Sequence, residues 1–127
     1  EVLEEADAPR GFDLLSIDVE GHEIEVMRGF DFAHWKPKLV MLDEPMAGVN
    51  PALTQSLLDH ILDLKEMGMT VLFVEHDMEI VGRFADRVLA FYDGTVIADQ
   101  TPREVLANPK VQMFISGTKP GEGAHHA

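Results

Sequence analysis

Short unbroken apolar runs alternate with stretches of helical period along this chain, the pattern of strands laid down between helices. Residues 14–19, Leu-Leu-Ser-Ile-Asp-Val, predict a buried strand ending in acid. Gly21 breaks that run. Residues 22–28 place Ile24 and Met27 on one side of a helix, and Gly29 predicts its stop. Phe30, Phe32 and Trp35 mark an aromatic connector. Residues 38–43 predict a second strand that delivers Asp43-Glu44-Pro45 at its carboxyl end. Asn50-Pro51 pairs an N-cap residue with a proline at the first helical position. Leu53, Leu57, Leu58, Ile61, Leu62 and Met67 then predict one apolar helix face, closed by Gly68.

Residues 70–75 predict a third apolar strand, followed by His76-Asp77. A short amphipathic helix is expected over 78–85, with Ile80, Val81 and Phe84 facing inward. Two strand-like runs, 87–92 and 95–99, flank Asp93-Gly94 and predict a hairpin. Thr101-Pro102-Arg103-Glu104 spells a capping box, so a helix is expected over 102–107, with one last turn at 111–115. Residues 1–10 are expected as a short helix or frayed end, and residues 117–127 as a disordered tail.

Strands separated by helices and short connectors predict an α/β fold: a mostly parallel sheet flanked by helices, with a C-terminal antiparallel hairpin. In such sheets the chemistry lies beyond the carboxyl ends of the strands. Asp18-Val19-Glu20, Asp43-Glu44 and Glu75-His76-Asp77 all fall there.

Composition narrows the function classes. The chain has 127 residues, 46% hydrophobic and 26% charged, which is a folded-domain composition. Its apolar runs, such as 39–42 and 71–74, are too short to cross a bilayer, so no direct membrane insertion is expected. The formal charge of -13 argues against nucleic acid or anionic lipid as a partner, and requires local features to hold any polyphosphate. With no cysteine, disulfides and thiolate metal sites are excluded. The chain opens on Glu1 rather than Met, which predicts an interior fragment or a processed product.

Asp43-Glu44 carries the sharpest chemistry. Transfer of a phosphoryl group to water needs one carboxylate for Mg²⁺, usually through water, and a second to orient the attacking water. Adjacent acids at a strand end can divide those tasks, because successive side chains point in different directions. Taken alone, Asp-Glu-Pro reads equally well as a polar strand end with a turn-forming proline. For His76 the plainer alternative, a satisfied core histidine, carries less weight given its neighbours.

The neighbours of these residues carry a family resemblance. Residues 38–45, Lys-Leu-Val-Met-Leu-Asp-Glu-Pro, resemble the extended Walker B segment of ABC transporter ATPases. Ala47-Gly48-Val49-Asn50-Pro51 resembles that family's D-loop, and residues 70–77, Thr-Val-Leu-Phe-Val-Glu-His-Asp, its switch-histidine segment. The order and spacing of the three are specific where each alone is weak. The similarity runs on to about residue 116, closest to the ATPases of branched-chain amino acid importers.

The resemblance implies a partial P-loop NTPase-like fold and a role for each matching residue. Asp43 would help hold Mg²⁺, Glu44 would be the general base, and His76 would bond the γ-phosphate and keep the water in line. Gly48, Val49 and Asn50 would touch a second ATPase subunit, although the family more often has Asp at the position of Asn50. ATP and Mg²⁺ are the implied cofactors. A second ATPase subunit and a transmembrane permease are the implied partners, and a cytoplasmic place at the inner membrane the implied location. The sequence holds no Gly-x-x-x-x-Gly-Lys-Ser/Thr, no Leu-Ser-Gly-Gly-Gln signature and no glutamine loop, which predicts weak or no nucleotide binding alone.

Residues 12–30, centred on Ile17-Asp18-Val19-Glu20-Gly21-His22-Glu23, are similar instead to FkbM-type S-adenosylmethionine-dependent methyltransferases, over about residues 10–40. Asp18, Glu20, His22 and Glu23 also read as a metal cluster, or more simply as acids solvating a strand end and favouring a helix start. The expected division is therefore a methyltransferase-like segment over 1–37, an ABC ATPase part over 38–116 and a tail over 117–127. The alternatives to an ATPase fragment are a methyltransferase remnant and a non-catalytic α/β scaffold from a hybrid gene.

Overall fold

The structure, a computed structural model, describes residues 2–116. The chain divides into two compact units, one ending at Glu75 and the other beginning at His76.

The first unit runs α1 (Val2–Glu5), β1 (Leu14–Ile17), α2 (Glu23–Gly29), α3 (Phe32–Trp35), β2 (Leu39–Asp43), α4 (Pro51–Glu66) and β3 (Thr70–Val74). Its three strands are parallel in the order β1-β2-β3. The register aligns Leu15, Val40 and Val71 across the sheet, and Ile17, Leu42 and Phe73 two residues on. These residues share a face, because side chains alternate along a strand. It is the inner face: Val40 and Leu42, on the central strand, are wholly buried. The other face carries Leu14, Leu72 and Val74, which are 43–52% exposed. Apolar runs of this kind predict burial on both sides. Here the outer residues of β1 and β3 stay open, a departure from the buried strands expected of the sequence.

Helix α4 starts where the Asn50-Pro51 pair predicts. The Asn50 side chain accepts the Leu53 N–H at 3.1 Å, a cap of the kind that contributes about 1 kcal/mol. Its inner face differs from the expected one. Leu57, Leu58, Ile61 and Leu64 are buried, whereas Leu53, Leu62 and Met67 are at least 36% exposed. The true stripe steps 57, 58, 61, 64, close to the 3.6-residue period. The expected stripe ran wider than the surface available to it, since α4 packs on α2 and β3.

Two smaller differences have simple causes. Gly29 is the last residue of α2 rather than its stop, and the chain leaves the helix at Phe30 in extended geometry. The aromatic connector folds into α3, a single turn held by the Asp31 side chain, which accepts the His34 N–H at 3.0 Å. Lys36 ends it in a left-handed conformation.

The second unit runs α5 (Met78–Phe84), β4 (Val88–Tyr92), β5 (Thr95–Gln100), α6 (Pro102–Ala107) and α7 (Pro109–Ser116). β4 and β5 form the expected antiparallel hairpin, with a register shift at Ala90/Phe91. Asp93 and Gly94 both take positive φ, 48° and 71°, as the tight turn of a two-residue hairpin requires. The Thr101–Glu104 capping box forms in full. Val105 and Val111 join Ala98 in a small core against Val88, Ala90 and Ile97. Tyr92 stacks on Phe114 at 3.7 Å, and α7 is two turns long rather than the single one expected. The tail expected over 117–127 lies outside the described residues. Among the described residues no helix is long and apolar enough to cross a membrane.

Candidate functional site at the strand ends

β2 ends at Asp43, opposite Val74 in the ladder with β3. The next residue, Glu44, turns to φ 43°, a left-handed conformation that costs a non-glycine residue about 1–2 kcal/mol. Three hydrogen bonds hold it. The Glu44 N–H donates to the Val74 carbonyl at 2.9 Å, and the Ala47 N–H donates back to the Glu44 carbonyl at 3.1 Å. The Met46 N–H donates to the Glu75 carboxylate at 3.2 Å. Pro45 and Met46 are buried beneath the turn, while Asp43 and Glu44 are exposed to solvent. Backbone strain of this kind survives only where surroundings over-determine it, and it gathers at functional sites.

The turn leads into Gly48, at φ 69°, then Val49, whose N–H reaches the Met46 carbonyl at 3.3 Å, and then Asn50. Gly48 and Asn50 are exposed, while Val49 is half-buried. Asp43, Glu44, Gly48, Val49 and Asn50 are thus one continuous segment in the first unit, running from a strand end to a capped helix start. His76 is exposed, not buried as a core histidine would be, and opens the second unit directly after Glu75.

β1 ends in a similar way. Glu20 takes φ 45° and Gly21 φ 95°, so β1 and β2 both deliver a left-handed glutamate just beyond the strand. Glu23 does not face outward with Asp18 and Glu20. It is 2% exposed, and its carboxylate accepts the Gly21 N–H at 3.0 Å, bracing the loop from inside. His22 lies 4.0 Å from Glu25 instead. The reading of Asp18, Glu20, His22 and Glu23 as a metal cluster therefore gains no support: among the described residues no three His, Asp or Glu side chains gather as a metal site. Sequence reasoning missed the burial of Glu23 and the bond from Met46 to Glu75. The first had a weak signal, a glutamate at a helix start after glycine; the second links residues 29 apart.

A cavity of about 380 Å³ lies elsewhere in the first unit, between α1 and the Phe30–Trp35 region, and none of the strand-end acids lines it. A shifted carboxyl in this unit is also remote from them. Lys38 bonds Asp13 at 2.7 Å near the amino end of β2 and holds its carboxyl below the ordinary range, by hydrogen bond first and charge second.

Comparison with known proteins gives two matches that overlap. The family model for the methyltransferase FkbM domain matches residues 1–84. A probable branched-chain amino acid transport ATP-binding protein, LivG, of Archaeoglobus fulgidus is 41% identical over 85 residues, 67% of this chain and 33% of that protein. The high-affinity branched-chain amino acid transport ATP-binding protein LivG of Salmonella typhimurium is 42% identical over 77 residues, 60% of this chain and 30% of its own. Among solved structures, the ADP conformation of MJ1267, an ATP-binding cassette of an ABC transporter, superposes with a TM-score of 0.58. It is 36% identical and covers 65% of this chain and 34% of its own. The chain therefore belongs to the methyltransferase FkbM domain family by its residues 1–84, and over about two thirds of its length it is similar to ABC transporter ATP-binding proteins. It spans about a third of the length of the ATP-binding proteins it matches.

Proposed function

We propose that the chain carries the hydrolytic part of an ABC transporter ATP-binding subunit and does not turn over ATP alone. The observation that supports this reading most is the turn after β2, which keeps Asp43 and Glu44 exposed side by side on a fixed, strained backbone. Mg²⁺ is ordinarily held by one or two carboxylates, waters and substrate phosphates rather than by a protein cage. An exposed Asp43 fits that use, and Mg²⁺ there would neutralise developing phosphate charge.

In this reading Asp43 holds Mg²⁺ through water, Glu44 orients and deprotonates the attacking water, and exposed His76 bonds the γ-phosphate. A well-placed base contributes about 10²–10⁴ in rate. Gly48, Val49 and Asn50 meet a second ATPase subunit, and the assembly sits at the cytoplasmic face of the inner membrane with a permease. The cradle for the phosphates is not among the 127 residues, and that is why a complete partner subunit is required. The division into 1–37, 38–116 and 117–127 belongs to the same proposal, with the joint near Lys38.

MgATP hydrolysis by the purified chain, alone and mixed with a complete LivG-type subunit, tests it. No turnover alone is expected, and any turnover the chain adds to the mixture is lost in Glu44→Gln. Full turnover by the isolated chain contradicts the need for a phosphate cradle. The match over residues 1–84 favours a second reading, a methyltransferase remnant. Calorimetry with S-adenosylmethionine decides between them, and micromolar binding would carry the second.

A further inference from the structure

Glu75 is half-buried just past the end of β3, and the hydrolytic reading gives it no role. Its carboxylate nevertheless accepts the Met46 N–H at 3.2 Å, across from one strand end to the next. Met46 is buried and lies two residues from Glu44 in a turn that starts from Glu44's left-handed backbone. The backbone bond from Glu44 to Val74 pins one side of that turn, and Glu75 pins the other. A hydrogen bond to a carboxylate is among the stronger neutral-donor bonds, and a buried N–H left without one is costly.

We infer that Glu75 is a positioning residue for Glu44, holding its left-handed backbone through the Met46 N–H. The inference rests on the reading of Glu44 as the base. Two consequences follow from the chain itself. The glutamate turn is fixed by the residue that directly precedes His76, so a displacement of the 75–76 segment loosens the turn that presents Glu44. The side chain needed at 75 is one with an acceptor oxygen at glutamate length, which Gln retains and Ala lacks.

The test compares Glu75→Ala and Glu75→Gln with the parent chain by amide hydrogen exchange and by the Cα chemical shift of Glu44. Glu75→Ala is expected to speed Met46 exchange by about ten- to a hundred-fold. The same substitution should move the Glu44 shift away from its left-handed value while amides within α4 keep their protection. Glu75→Gln restores most of both signals. Unchanged Met46 exchange and an unmoved Glu44 shift in Glu75→Ala overturn the inference. So does a Met46 change that leaves Glu44 unmoved, which reduces Glu75 to a purely structural tie. These readouts use the isolated chain without nucleotide, so they are decided separately from the hydrolysis assay, whose failure would remove the base from Glu44 and leave the backbone coupling standing.

Discussion

The N–H of Glu44 donates to the carbonyl of Val74 at 2.9 Å, extending the β2–β3 ladder one residue beyond Asp43 while Glu44 itself has left the strand conformation. The ladder thus reaches into the turn and carries its strain. Glycine adopts φ 43° without the Cβ penalty that glutamate meets there. Glu44→Gly is therefore expected to leave stability unchanged or raise it by up to about 1 kcal/mol in denaturant unfolding, and to abolish any hydrolysis. A clear loss of stability would show that the strain is not stored at this residue.

The cap at Asn50 gives a second outcome. Asn50→Ala removes the acceptor for the Leu53 N–H and should cost about 1 kcal/mol. Asn50→Asp, the residue more frequent in the resembling family, keeps an acceptor and adds a negative charge at a helix start, worth about 0.3–1 kcal/mol at low salt. Thermal midpoints in the order Asp, Asn, Ala check this. Equal midpoints for all three would mean that the side-chain bond contributes nothing to stability.

How far the fold and site were legible depends on whether the signal is local. Asn50-Pro51, Asp93-Gly94 and Thr101–Glu104 each specify their own geometry within four residues, and each forms as read. The strands were legible from apolar runs, but their outer face was not. A run such as Thr70–Val74 does not encode whether one side or two will be covered. α3 escaped notice because a four-residue turn has no period to detect. Among the candidate residues, Asp43, Glu44 and His76 were visible as residue types in a spacing. The left-handed turn at Glu44 and its tie to Glu75 depend on strand pairing, which has no signature at either residue alone.

The face of α4 offers a direct check of that distinction. Leu57 is wholly buried and Leu64 is 3% exposed, while Leu62 is 36% exposed. Leu57→Ala and Leu64→Ala should each cost about 2–5 kcal/mol, the range for emptied core sites. Leu62→Ala should fall near 0.5 kcal/mol or below, roughly the range of surface changes. Urea unfolding of the three variants measures it. A large loss at Leu62 with little at Leu64 would restore the stripe expected from the sequence.

Acid should act on the hairpin through Arg87 and Asp99. Arg87 grips Asp99 with two bonds, Nε to Oδ1 at 2.7 Å and Nη2 to Oδ2 at 2.6 Å. The hydrogen bond to Arg87 lowers the Asp99 carboxyl below its ordinary value; desolvation opposes that and the arginine's charge adds to it. A carboxyl depressed in the folded state contributes stability above its unfolded pKa, which is about 4, and that contribution disappears as the pH falls through the folded value. The window therefore lies below about pH 4. Both groups are solvent-exposed, so the effect is small and weakens with salt. Protection factors of the β4–β5 amides, taken against the intrinsic rate at each pH, should fall across that acid window in the parent and change less in Asp99→Asn, with the difference narrowing at high ionic strength. An identical acid response in the two proteins would mean that the pair does not hold the hairpin.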